Sequence, residues 1–121
     1  MAKWHRLTDS ELELLSILWK EGPATVKAIA EKLPEKGYTT VLKLLQLMHE
    51  KGLVTREESA RAHVYAAAIA AEQTQRNIVR DVVSRVFNGS SKALALNALG
   101  AQYSEEQLAE IRKLLDQMEE K

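Results

Sequence analysis

Thr39, Thr40, Lys43 and Gln46 carry the side chains in this sequence best suited to reading another molecule. They lie in "YTTVLKLLQLMHEKGLV", residues 38 to 54. Wound as a helix at about 100° per residue, this segment has two sides. Thr39, Lys43, Gln46 and Glu50 fall on one, and Val41, Leu44, Leu45 and Met48 on the other. Thr40 and Leu47 flank one edge of the polar side, Leu42 and His49 the other. An ammonium, a carboxamide and two hydroxyls match the donors and acceptors that base pairs show in a duplex major groove. A partly exposed Leu42 suits a thymine methyl. An idle solvated helix shows the same polar face, so the neighbouring elements must decide between the two.

Those elements are legible. "LTDSELELLSILW" opens with Thr8 and, three residues on, Glu11: a capping box, each side chain satisfying a free backbone N–H of the other. Leu12, Leu15 and Trp19 then recur at helical spacing, with Leu14 and Leu18 beside them. Gly22-Pro23 breaks this first helix. Thr25 suits the N-cap of "VKAIAEKL", whose Val26, Ile29, Ala30 and Leu33 share a face, and Pro34 and Gly37 close it. The third helix is expected from about Thr39 to Lys51, with Gly52 as a left-handed cap.

Beyond Gly52 the period changes. "LVTREES" and "AHVYAAA" are short, β-branched and aromatic, and read as a hairpin. Its polar joint around Ser59 to Arg61 lacks the glycine of a tight turn. Arg56, Arg61 and His63 are expected at its tip. From Glu72 helical period returns, with Ile78, Val82 and Val86 on one stripe. Asn88-Gly89 stops it, "SSKALALNALG" follows, and Ser104 with Gln107 forms a second capping box before a stripe of Leu108, Ile111, Leu115 and Met118.

Helix, break, short helix, break, polar-faced helix and hairpin is the order of a winged helix-turn-helix. The fold class expected is mainly α: three helices plus a β-hairpin wing over residues 1–70, and a helical dimerisation region over 71–121. In such a domain the polar-faced helix enters the major groove and the wing lies over the backbone, where arginines bond phosphate. The tail is too short for a robust core of its own, so its stripes are best buried against a second copy. Ile78, Val82, Val86, Leu94, Leu108, Ile111 and Leu115 are the expected dimer residues.

Bulk properties exclude more than they assign. Seventeen basic and seventeen acidic residues cancel, and residues 1–67 hold ten of the former against nine of the latter. Any DNA contact must therefore come from local placement and not from a global field. There is no cysteine, hence no disulfide and no thiolate metal site. The N-terminal ten residues lack a signal-peptide core and "VYAAAIAA" is too short to cross a bilayer, so a soluble, cytoplasmic protein is expected. His5, His49 and His63 are scattered without metal-ligand spacing, and no phosphate-cradling glycine loop or nucleophile-base pair stands out, so neither an enzyme, a metal nor a cofactor is expected. Scattered aromatics argue against an RNA-stacking platform. The rival reading is a winged-helix protein-interaction module that binds no DNA.

The chain resembles the penicillinase-repressor family of bacterial winged-helix regulators, the BlaI, MecI and CopY relatives. The resemblance rests on "LTDSELELLSILW", "ATVKAIAEKL", "YTTVLKLLQLMHEKGLVTRE", "HVYAA" and "LALNALG…SEEQLAEIRKLLD", in that order. It implies a homodimeric repressor on a palindromic operator of double-stranded DNA. Thr39, Thr40, Lys43 and Gln46 then fall where such proteins face bases, and Arg56 and Arg61 on the wing. Antibiotic-sensing members are cut by a sensor protease at an Asn-Phe bond. Here Asn97 is followed by Ala98, which counts against the usual protease as a partner. Copper-responsive members use a C-terminal cysteine cluster, which this chain lacks.

Overall fold

A computed structural model describes residues 6–58 and 61–119. The described elements run α1 (Asp9–Glu21), β1 (Ala24–Thr25), α2 (Val26–Glu31), α3 (Gly37–Glu50), β2 (Val54–Glu57), β3 (Val64–Ala67), α4 (Ala71–Val86), α5 (Ser91–Leu99) and α6 (Glu105–Glu119). This is the mainly helical, winged-helix arrangement expected. The chain divides into two compact units between Arg76 and Asn77.

The first unit is organised by caps and one core. Thr8 Oγ1 accepts from the Glu11 amide (3.1 Å) and Glu11 Oε1 accepts from the Thr8 amide (2.9 Å), the capping box that the sequence announces. Thr25 caps α2 through the Ala28 amide (3.2 Å). The α3 terminus is a Schellman motif. The Leu53 amide donates to the Met48 carbonyl (2.9 Å) and the Gly52 amide to His49 (3.1 Å). Gly52 has φ of 82°, a left-handed value that favours glycine there. Leu14, Leu15 and Leu18 of α1, Val26 and Ile29 of α2, Leu33, Val41, Leu45 and Met48 of α3, and Val54 and Tyr65 of the sheet are buried together. Trp19 Nε1 donates to the Ile69 carbonyl (2.9 Å), fastening α1 to the segment that leads into α4.

Three features differ from the sequence expectation. The hairpin is joined by a third strand, giving an antiparallel sheet in the order β1-β3-β2 with Ala24 opposite Tyr65 and Thr25 opposite Val64. Two residues carry no alternation, so periodicity could not reveal β1. Next, α3 begins at Gly37 and not near Thr39, its N-cap Lys36 making no side-chain cap bond. The sequence reading assigns Gly37 to the close of the second helix, and so begins the third two residues late. Finally, Arg56 is not at the hairpin tip. It lies within β2, opposite Tyr65. Of the expected joint, Ser59 and Ala60 lie outside the described residues, as does His5.

In the second unit, α5 and α6 pack on one another. Ser90 caps α5 through the Ala93 amide (3.0 Å). Ser104 and Gln107 exchange backbone bonds of 2.9 and 3.2 Å, the second expected capping box. Lys92 links the helices through Asp116 (2.7 Å) and Glu119 (3.3 Å), and these carboxylates raise its pKa. Among the described residues from Asn77 onward no side chain is fully buried. None of the described helices is long and apolar enough to cross a membrane.

Candidate nucleic-acid interface

The outward side of α3 is built by exclusion. Val41, Leu45 and Met48 are fully buried and fix the rotation of the helix about its axis. Thr39, Thr40, Lys43 and Gln46 are left exposed on the far side, and Leu42 and Leu44 are half-buried at its margins. Among the described residues, no hydrogen bond or ion pair engages the side chains of Thr39, Thr40, Lys43 or Gln46. Their donors and acceptors are therefore free for a ligand, at no cost in broken internal bonds.

The helix is held at both ends. Lys36, just before it, reaches Ser10 Oγ (3.3 Å) and Glu13 (3.4 Å) of α1. Lys51, just after it, donates to Glu11 Oε2 at 2.6 Å. Glu11 is 5% exposed. Burial alone would raise its pKa, but Lys51 and the Thr8 amide and hydroxyl outweigh that and hold it below the ordinary 4.5. One carboxylate thus serves the α1 cap and the α3 terminus together.

The wing contributes unequally. Arg61 is exposed and free of ion pairs among the described residues. Arg56 is half-buried, and its Nε donates to Glu58 at 2.7 Å. Its guanidinium lies beside the Tyr65 hydroxyl as well, and Tyr65 first, then Glu58, raise its pKa. The Tyr65 contact falls short of a formed hydrogen bond, leaving that hydroxyl buried and unpaired. In turn Arg56 lowers the Glu58 pKa. The Glu58 bond occupies Nε, so a phosphate would meet Arg56 through its other guanidinium N–H groups and in competition with the Glu58 charge.

Between α3, the start of α2 and the wing lies a groove of about 480 Å³, lined by Thr25, Val26, Lys27, Tyr38, Leu42, Arg61, Ala62, His63 and Tyr65. Leu42 and Arg61 thus share one surface. Lys27 and Tyr38 join them, although the sequence reading left both out. Tyr38 is 53% exposed at the start of α3. Its exposure on a helix beside polar neighbours was the one available signal, whereas Lys27 reaches the groove only because the chain folds back. Among the described residues no three His, Asp or Glu side chains gather as a metal site.

The tail residues Ile78, Val82, Leu94, Leu108, Ile111 and Leu115 are half-buried and Val86 is exposed. Leu114 and Met118 are 60% and 69% exposed. Asn97 and Ala98 are exposed on α5.

The profile of the penicillinase repressor family matches residues 7–117. The chain is 28% identical over 123 aligned positions to the transcriptional regulator BlaI of Mycobacterium tuberculosis, covering 98% of this chain and 89% of that protein. It is 23% identical to the penicillinase repressor of Bacillus licheniformis, covering 97% and 94%. Its fold is similar to that of a MarR family protein from Bacillus stearothermophilus, with TM-score 0.53 and 22% identity over 96% of this chain and 75% of the other. That last likeness speaks for the fold alone. The match across nearly all of the sequence makes this chain a member of the penicillinase repressor family of transcriptional regulators.

Proposed function

We propose that the chain is a homodimeric, cytoplasmic repressor that blocks transcription by occupying a palindromic operator. Residues 1–70 serve as the DNA-binding domain and residues 71–121 as the dimerisation domain. Thr39, Thr40, Lys43 and Gln46 read base edges, Leu42 touches a thymine methyl, and Arg61 holds phosphate beside Arg56. Ile78, Val82, Val86, Leu94, Leu108, Ile111 and Leu115 form the shared core.

The observation that carries this reading is the contrast on α3. Val41, Leu45 and Met48 are fully buried while the side chains of Thr39, Thr40, Lys43 and Gln46 stand exposed and unengaged. Solvated helices in a charge-rich chain commonly trade i,i+4 ion pairs; this face keeps its donors open. The tail supports the dimer, because its stripe residues are at most half-buried within one chain and Val86, Leu114 and Met118 are exposed. Two copies place two α3 helices on half-sites a whole number of helical turns apart and double the phosphate contacts, which compensates for zero net charge. Ala98 follows Asn97, so the Asn-Phe bond cut in antibiotic-sensing relatives is not present at this position.

Titration of operator and random duplex across a salt series tests this. Log affinity should fall linearly with log salt on both, and the operator should be preferred by about 10³-fold or more. Equal affinity for both duplexes, or no salt dependence, rejects the reading and leaves the docking-module alternative.

A further inference from the structure

We propose that the groove between α2, α3 and the wing is a binding site for a small aryl anion, a flat ring bearing one carboxylate or phosphate group. Three observations support it. The volume, about 480 Å³, falls within the range of ligand sites, roughly 300–1,000 Å³. Lys27, Arg61 and His63 line it, and among the described residues no acidic side chain does. Among the described residues neither Lys27 nor Arg61 is spent on an ion pair.

The lining also specifies the body of the ligand. A bare phosphate would use only the cations and leave the accessible surface of Leu42 and Tyr38 uncovered. An aryl ring covers those side chains, and its anionic group takes a charge-assisted bond from Arg61 or Lys27. Tyr38, exposed at the mouth, offers its ring face for offset stacking.

The regulatory consequence rests on the operator reading above. Leu42 and Arg61 line the groove and are also residues assigned to DNA. An occupied groove then removes both from the duplex, so ligand and operator exclude each other. That would give the repressor a route of release with no cut at Asn97 and no metal.

The test uses the intact chain, first without DNA. Benzoate and phenyl phosphate are titrated by NMR, with benzamide as the neutral control and inorganic phosphate as the ringless one. Both aryl anions should give saturable shifts at residues 25–27, 38, 42 and 61–65. Arg61→Ala and Tyr38→Ala, at exposed positions that leave the core untouched, should each weaken binding by about tenfold. Absence of saturable shifts at millimolar probe overturns the site. So does benzamide binding equal to benzoate, or inorganic phosphate equal to phenyl phosphate, since the groove would then be an unselective surface or a plain phosphate seat. A second arm adds the aryl anion to the operator complex. Displacement of DNA completes the proposal. A probe that binds the groove and leaves the complex intact keeps the site and removes the operator contacts of Leu42 and Arg61. Operator binding without any probe binding does the reverse.

Discussion

The two units carry equally regular apolar stripes and bury them very differently. In the first, every apolar residue that packs inward finds a partner within the same chain: Leu14, Leu15, Ile29, Val41, Leu45, Met48 and Tyr65 are fully enclosed. In the second, α5 and α6 are well capped and bridged by Lys92, yet Val86, Leu114 and Met118 face solvent. Local signals therefore make helices in both places, while a finished core exists in one. A period in sequence says which residues share a face. Whether that face is covered depends on what else the chain supplies, and here the tail has too few elements. On the proposed reading the missing cover is a second copy, and the first unit uses its completed core to present α3.

Variants can sharpen or break this contrast. The largest effect is expected from Ile111→Asp. It sets a carboxylate in the proposed dimer core, and sedimentation should show monomers, with operator affinity falling by about 10³-fold as avidity is lost. An intact dimer would remove Ile111 from the interface. Leu45→Ala strikes the other unit. Denaturation should show about 2–5 kcal/mol lost, from an emptied enclosed site. Its loss should not depend on protein concentration, whereas melting of the tail should shift upward with concentration if two copies share it. A tail transition that ignores concentration would mean that the stripes are covered within one chain.

Smaller effects probe how α3 is used and held. Lys43→Ala should weaken operator binding by about 1–3 kcal/mol if it makes a bidentate base contact, and should weaken random duplex much less. Equal losses on the two would reassign Lys43 to the backbone. Lys51→Met leaves the buried Glu11 carboxylate without its ammonium. Because Lys51 is itself more than half exposed, the loss should be about 1 kcal/mol. The sign of its pH dependence follows from the lowered Glu11 pKa. The contribution is complete above pH 4.5 and fades as pH falls through the lower folded value. The gap between wild type and Lys51→Met should therefore narrow in acid and stay constant above pH 6 or so.

Much of the first unit was legible because its signals are local. The Thr8–Glu11 capping box, the Gly52 cap and the buried side of α3 follow from residues within a turn or two of each other, as does the Ser104–Gln107 box of the second unit. Other features were not. Glu11 and Lys51 meet across forty positions, and their pairing comes from the packing of α1 on α3. β1 exists only because β3 lies alongside it. Arg56 was assigned to the tip by its distance from the joint, yet the ladder runs on to Glu57 and fixes it inside β2. The groove unites Lys27, Tyr38 and Arg61, which are charged or aromatic residues of no special spacing. Chemistry that the fold assembles from separate elements leaves no period to read.

The central claim is that two α3 faces read one duplex together. Selection of bound sequences from a random duplex pool by the intact chain measures this directly. The account predicts one enriched sequence with two-fold symmetry, its half-sites a whole number of helical turns apart, and loss of that enrichment in a Lys43→Ala, Gln46→Ala double variant. A pool that stays random, or an enriched site that the double variant selects just as well, would contradict it.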